Sequence, residues 1–117
     1  MKNKRILVIE DEFLIALDII SVLEDAGFRE VRHIETEEEA LMQIERHSWD
    51  AAIADANLNG RSIEQVARVL RERGVPFLVV TGYGRKSLPA AIGAAPILEK
   101  PFQHRQLLQT LIGLCGV

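Results

Sequence analysis

Short, solid runs of apolar residues alternate along this chain with longer segments in which apolar residues recur at helical spacing. Residues 6–9 are Ile-Leu-Val-Ile, a run that is typical of a strand buried on both faces. From Glu12 to Ala26 the apolar side chains fall three or four positions apart, which predicts an amphipathic helix that ends at Gly27. Residues 36–39 are Thr-Glu-Glu-Glu, a capping box that predicts the start of a second helix.

The same alternation continues to the end of the chain. Further short strands are predicted at 30–34, 51–54, 76–80 and 97–99, and further helices at 63–70 and 107–115. Strands that alternate with helices in this way predict an α/β fold, a doubly wound five-stranded parallel sheet with helices on both faces. Between Ser87 and Pro96 the chain carries Pro89 and Gly93, so we expect the fourth helix to be short or irregular.

The composition sets the size of the protein and excludes several classes. With 117 residues, of which 48% are apolar, the chain is expected to form a single domain spanning 1–117. A net charge of −3 predicts no nucleic-acid partner, because nucleic-acid-binding domains are normally basic. The apolar runs are too short for a membrane span, and a single cysteine suits a reducing compartment. We therefore expect no membrane contact and a cytoplasmic location.

Polar residues that can do chemistry stand directly after four of the predicted strands. Glu10 and Asp11 follow the first strand, Asp55 the third, Thr81 the fourth and Lys100 the fifth. Ligands of open α/β sheets bind at the carboxyl ends of the strands, so we expect these five side chains to converge at one edge. Any one of them alone fits a helix N-cap, a turn or a surface charge, but the combination indicates a functional site.

Clustered carboxylates with a nearby ammonium group have a specific chemical use. The carboxylates repel one another unless a cation joins them, and oxygen ligands favour a hard ion such as Mg²⁺. A carboxylate beside such an ion can attack phosphorus and form an acyl phosphate, and a lysine and a hydroxyl can hold the phosphoryl oxygens. His33, His47 and His104 show no ligand spacing, so we expect them to face solvent and take no part.

These segments, taken in order, resemble a response-regulator receiver domain over essentially the whole chain. The resemblance rests on residues 6–12 (Ile-Leu-Val-Ile-Glu-Asp-Glu), the Asp55 segment, Thr81 after Val-Val, and Lys100-Pro101-Phe102. It implies that Asp55 accepts a phosphoryl group from a histidine kinase in a two-component system. It also implies a cis Lys100–Pro101 bond and the flavodoxin-like strand order 2-1-3-4-5, for which a receiver is itself a standard example.

The resemblance also assigns roles to the site residues. It implies a Mg²⁺ ion bound by Glu10, Asp11, Asp55 and the backbone carbonyl of Asn57, and phosphoryl contacts from Thr81 and Lys100. The only catalysis implied is self-catalysed phosphorylation and dephosphorylation, so we expect a phosphoacceptor switch and not an enzyme. An aspartate-nucleophile phosphohydrolase is an alternative on a similar sheet, but such an enzyme wants a second acid where Asn57 stands.

Three positions depart from the usual receiver pattern. Glu10 stands where many receivers have aspartate, Asn59 replaces a common proline, and Ile97 replaces the aromatic residue of the usual switch. Residues 55–60 and 76–84, together with the lack of an aromatic residue at position 97, resemble the FAT GUY subgroup of receivers. Members of this subgroup are often stand-alone receivers served by HWE-type or related histidine kinases. We therefore expect a stand-alone regulator or phosphate sink that acts through protein–protein contacts without an output domain. A receiver fragment of a larger regulator or hybrid kinase is the alternative.

Without an aromatic ring at residue 97, the chain needs another route for reporting phosphorylation. Glycines flank Tyr83 and helix breakers interrupt the segment that follows, so we expect the response to appear in residues 81–95. Amide hydrogen exchange of the free and phosphorylated protein measures this response, and we expect protection to change there. Unchanged protection across residues 81–95 would rule the route out.

Overall fold

The computed structural model describes residues 3–82 and 88–116 and resolves them into strands and helices in alternation. The strands are β1 (Arg5–Ile9), β2 (Glu30–Ile34), β3 (Ala51–Asp55), β4 (Asn57–Leu58), β5 (Arg61–Ser62), β6 (Phe77–Thr81) and β7 (Ile97–Glu99). The helices in this part of the chain are α1 (Phe13–Asp25), α2 (Glu37–Arg46), α3 (Glu64–Glu72) and α4 (His104–Cys115). None of them is long and apolar enough to cross a membrane.

Five of the strands form one parallel sheet with the order β2-β1-β3-β6-β7. Strands β4 and β5 lie outside it and pair with each other as a two-stranded antiparallel hairpin. The predicted order 2-1-3-4-5 is therefore confirmed, with β6 and β7 as the fourth and fifth strands of the main sheet. The chain reverses its direction of winding between β1 and β3, so the crevice where such sheets bind ligands lies above these two strands.

Apolar side chains cover both faces of the sheet. In β1, Leu7 and Ile9 face the core under α2 and α3, whereas Ile6 and Val8 face the core under α1 and α4. Strands β3 and β6 are buried along their whole length, as the solid apolar runs predict. Burial on both faces leaves the strand ends as the places where polar side chains can reach solvent, and the candidate site lies at one of these edges.

The beginning of α2 is capped as the sequence predicts. The Thr36 side chain accepts a hydrogen bond from the backbone N–H of Glu39 at 3.2 Å. Three glutamates in the first turn, Glu37, Glu38 and Glu39, lie where the helix dipole stabilises negative charge. The cap fixes where β2 gives way to α2, so that Glu35 and Thr36 lie in the loop at the carboxyl edge of the sheet.

The segment between β6 and β7 contains only one short 3₁₀ helix among the described residues, at Ala90–Ile92. It ends at Gly93, whose φ of +62° favours glycine, and the Arg71 side chain donates a hydrogen bond to the Ala91 carbonyl at 3.2 Å. This 3₁₀ helix stands where the sequence predicts a short or irregular helix before the last strand, so that prediction is confirmed. The predicted cis Lys100–Pro101 bond is also confirmed. Residues 83–87, which include Tyr83 and much of the expected response segment, lie outside the described residues.

Candidate functional site

Strand register brings the predicted site residues to one edge of the sheet. Ile9 of β1 pairs with Ala54 of β3, so Glu10 and Asp55, the next residue of each strand segment, lie side by side. Asp55 in turn pairs with Val80, which places Thr81 one residue beyond the pair. Glu10, Asp55 and Thr81 are buried, with exposed fractions of 1%, 5% and 1%. The predicted convergence of these strand ends is what the structure shows.

Three carboxylates form a compact cluster at this edge. One oxygen each from Glu10, Asp11 and Asp55 lies within 4.8 Å of the other two. Glu10 Oε1 and Asp11 Oδ1 are both buried, and neither accepts a hydrogen bond from residues 3–82 or 88–116, although the Lys100 ammonium lies 3.5 Å from Glu10 Oε1. A buried carboxylate oxygen without a donor is costly, and a bound cation is the usual partner that removes the cost. The donor set consists of oxygens alone, so it fits a hard ion such as Mg²⁺.

Lys100 faces this cluster from the end of β7. Its Nζ lies 3.5 Å from Glu10 Oε1, 3.5 Å from Asp55 Oδ2 and 3.6 Å from Glu12 Oε1. Burial alone would lower the pKa of Lys100, but the neighbouring carboxylates outweigh it and raise the pKa above its ordinary value. The ammonium group is therefore charged throughout the physiological range, and it is the nearest positive charge to the Asp55 carboxylate among the described ion pairs.

Glu10 and Asp55 share a site that disfavours two negative charges. Burial, followed by a hydrogen bond to Asp55 and that residue's charge, raises the pKa of Glu10 to about 8. Burial also raises the pKa of Asp55, although hydrogen bonds from Glu10 and the Asn57 N–H, and the charge of Lys100, oppose the rise. Without a cation, one proton is therefore held between the two carboxyl groups at neutral pH.

Asp55 is held in a defined orientation. Its Oδ1 accepts a hydrogen bond from the Asn57 N–H at 3.2 Å, and its Oδ2 faces Lys100. A cleft of ≈ 260 Å³ opens beside it, lined in part by Ala56, Asn57 and Thr81. A carboxylate so placed can act as a nucleophile toward an incoming phosphoryl group, with Lys100 positioned for the negative charge.

Two residues at the edge of the site were not identified from the sequence. His33, predicted to face solvent, is half-buried, and its Nε2 donates to the Glu10 carbonyl oxygen at 2.8 Å, so that prediction is wrong. The Asn59 N–H donates to Asp11 Oδ2 at 3.1 Å, and its side chain donates to the Glu35 carbonyl at 2.9 Å. The only sequence signal for Asn59 was its departure from a common proline, and His33 had none.

The other two histidines lie away from the carboxylate cluster. His47 is exposed, and His104 is exposed and pairs with Asp18 of α1, Nε2 to Oδ1, at 2.9 Å. Both agree with the prediction that they face solvent.

Comparison with known proteins gives one family. A family model described as the response regulator receiver domain matches residues 6–112. The chain is 29% identical over 112 residues to the transcriptional regulatory protein PdtaR of Mycobacterium tuberculosis, a match that covers 92% of this chain and 55% of that protein. The chain thus spans about half the length of the curated relatives it matches.

Solved structures agree with the family match. The receiver domain of the sensor histidine kinase PA1611 of Pseudomonas aeruginosa, solved with magnesium in its active-site cleft, superposes with a TM-score of 0.85 at 26% identity. That match covers 97% of this chain and 98% of the other. SdrG of Sphingomonas melonis superposes with a TM-score of 0.83 at 33% identity, and the match covers 100% of this chain and 99% of SdrG.

Proposed function

The chain belongs to the response-regulator receiver family of two-component systems, and we propose that its Asp55 accepts a phosphoryl group from a histidine kinase in a Mg²⁺-dependent reaction. The observation that carries the proposal is the position of the Asp55 carboxylate, buried between two acidic neighbours and the ammonium of Lys100. Such an arrangement places a nucleophile, a cation site and a fixed positive charge around one oxygen. Receivers are phosphoacceptor switches and not ordinary enzymes, and the proposed chemistry is of that kind.

We propose that Mg²⁺ is held by Glu10, Asp11, Asp55 and the backbone carbonyl of Asn57. The buried oxygens of Glu10 and Asp11 that accept no hydrogen bond support this assignment, as does the magnesium ion in the PA1611 receiver. When bound, the ion supplies positive charge against which the oxygens of a phosphoryl group are neutralised. Glu10 has a longer side chain than the aspartate of many receivers, and it reaches the cluster, since one of its oxygens lies within 4.8 Å of the other two ligands.

Each site residue then has a separate role in the phosphoryl transfer. An oxygen of Asp55 attacks phosphorus, an acyl phosphate bond forms, and the bond from phosphorus to the histidine nitrogen of the kinase breaks. Lys100, and Thr81 at the end of β6, contact the phosphoryl oxygens and stabilise their charge. Attack of water on phosphorus later releases inorganic phosphate and restores the carboxylate. This cycle is the self-catalysed phosphorylation and dephosphorylation that we propose for the chain.

A protein partner is supported by the surface beside the site. Phe13, Leu14 and Leu17 of α1 are large apolar residues with exposed fractions of 61%, 78% and 47%. Exposed apolar side chains that lie together usually mark a contact with another macromolecule. They begin directly after the acidic segment at residues 10–12, where a kinase must approach to bring its phosphohistidine to Asp55. We propose a kinase of the HWE or a related type, as the FAT GUY resemblance implies.

Two arrangements of the whole protein are open to test. We propose a stand-alone cytoplasmic receiver, acting through protein partners or as a phosphate sink. The alternative is a receiver within a larger regulator or hybrid kinase, and the greater length of PdtaR supports it. The mass of the protein isolated from its own cells separates them, because a stand-alone chain has the 13.1 kDa of this sequence.

The phosphoacceptor assignment is tested by intact mass after incubation with Mg²⁺ and a small phosphoryl donor. We expect the native protein to gain the mass of one phosphoryl group and Asp55→Asn to gain none. Asp25→Asn is the matched control, because Asp25 is exposed at the far end of α1, and it is expected to behave as the native protein does. Chelation of Mg²⁺ is expected to prevent labelling of the native protein and of Asp25→Asn. A native protein that stays unlabelled would contradict the proposal, and turnover of phosphate esters would favour a phosphohydrolase.

A further inference from the structure

Asn59 occupies the turn of the β4–β5 hairpin in a backbone conformation that few residues adopt. Its φ is +53°, and that of Gly60, the next residue, is +77°. Two consecutive residues with positive φ form the type I′ turn that joins two-residue hairpins, and Asn-Gly is its preferred sequence. In this turn the Asn59 N–H points out of the hairpin and donates a hydrogen bond to the carboxylate of Asp11.

The Asn59 side chain makes a second hydrogen bond, to the loop that follows β2. Its Nδ2 donates to the backbone carbonyl of Glu35, one residue beyond β2, at 2.9 Å. Asn59 itself follows β4, and Asp11 follows β1 by two residues. One residue therefore links three loops at the carboxyl edge of the sheet, and its position relative to Asp11 is set from both sides.

The hydrogen bond from Asn59 divides the two oxygens of Asp11 between different uses. Oδ2 accepts the Asn59 N–H at 3.1 Å. Oδ1 is buried and meets no hydrogen-bond donor within the described parts of the chain. With Oδ2 occupied, rotation of the carboxylate is restricted, and Oδ1 is the oxygen left for the cluster with Glu10 and Asp55.

We propose that Asn59 is a positioning residue for the cation site, holding the Asp11 carboxylate through its backbone N–H while its side chain anchors the turn to Glu35. The inference rests on the proposed Mg²⁺-dependent function and adds a residue that touches neither the ion nor the phosphoryl group. Partners that orient a metal ligand typically change metal affinity by about 10- to 100-fold when they are lost. Asn59 is exposed, so the lower end of that range applies.

Two substitutions at residue 59 separate the parts of this contact. Asn59→Pro removes the N–H and cannot adopt a positive φ, because the proline ring fixes φ near −65°. Asn59→Gly keeps the N–H and the backbone conformation but loses the side-chain bond to Glu35. Isothermal titration calorimetry with Mg²⁺ alone is expected to give a Kd about 10-fold weaker for Asn59→Pro. The Kd of Asn59→Gly is expected to be about threefold weaker, because this variant loses only the exposed hydrogen bond to Glu35.

Stability and rescue distinguish positioning from a general structural defect. In chelator, urea unfolding of Asn59→Gly is expected to match the native midpoint closely, so that its weaker Mg²⁺ binding does not reflect loss of fold. At saturating Mg²⁺ the rate of labelling by a small phosphoryl donor is expected to return to the native value. If Asn59→Pro fails to fold, Asn59→Gly alone decides, and a Kd equal to the native one overturns the inference.

Asp11→Asn makes the two levels of failure distinguishable. If the native protein and Asp11→Asn bind Mg²⁺ equally weakly, the proposed cation site itself is wrong. If the native protein binds Mg²⁺ and Asp11→Asn does not, the site stands. In that case native-like binding by both variants at residue 59 would overturn the role of Asn59 alone.

Discussion

Lys100→Met is expected to lower the free energy of unfolding of the metal-free protein by about 3 kcal/mol. In the native protein the Lys100 Nζ lies 3.5 Å from Glu10, 3.5 Å from Asp55 and 3.6 Å from Glu12, and it is the positive charge that these three carboxylates share. Removing one partner of a buried ion pair leaves the other charges desolvated and unpaired, which typically costs about 3–5 kcal/mol. The low end applies, because the Lys100 side chain is 18% exposed. Urea unfolding at about pH 8, near the raised pKa of Glu10, measures the change.

The matched control for this change is Arg105→Met. It removes one positive charge from the exposed start of α4 and is expected to leave the free energy of unfolding within about 0.5 kcal/mol of the native value. The loss caused by Lys100→Met is expected to shrink at lower pH, because protonated carboxyls no longer need the ammonium group. Equal stability of Lys100→Met and the native protein at every pH would show that the three contacts contribute nothing.

The metal-free protein is expected to lose about 2 kcal/mol of stability as the pH rises from about 6 to about 8. Burial beside Asp55 raises the pKa of Glu10 from 4.5 to about 8. Between these two values the folded protein holds a proton on Glu10 that the unfolded chain has released, so unfolding becomes easier as the pH rises. Urea unfolding in chelator across this range measures the slope.

Glu10→Gln and added Mg²⁺ test the cause of that slope. Glutamine does not ionise, so the variant is expected to show a flatter dependence of stability on pH in chelator. Saturating Mg²⁺ is expected to remove most of the loss in the native protein, because the ion binds the ionised form and stabilises the fold by mass action. A slope that persists in Glu10→Gln would place the titrating group elsewhere in the chain.

The sequence by itself determined the sheet and the edge on which the site lies. Solid apolar runs such as residues 6–9 and 77–80 can be buried only in strands with cover on both faces, and the helical spacing between them requires crossover connections. Parallel strands all end at the same edge. The residues that end these strands or directly follow them, Asp55 and Lys100 among them, therefore had to converge there whatever the exact register.

Only the tertiary structure decided how those residues meet. The pairing of Ile9 with Ala54 sets Glu10 beside Asp55, and this contact, together with burial, raises the pKa of Glu10. Local sequence does not encode such pairings, because register depends on how both faces of neighbouring strands pack. The hydrogen bond from His33 to the Glu10 carbonyl follows from the same long-range pairing, and no spacing in the sequence announces it.

Asn59 shows most clearly which features the local sequence determines and which the tertiary structure decides. Asn-Gly is a dipeptide that favours positive φ at both positions, and residues 59 and 60 adopt positive φ in the structure. Its contact with Asp11, 48 positions earlier, depends on the distance between two loops that only the packed sheet brings together. Local conformational preference therefore fixed the shape of the turn, and the packing of distant segments decided what the turn holds.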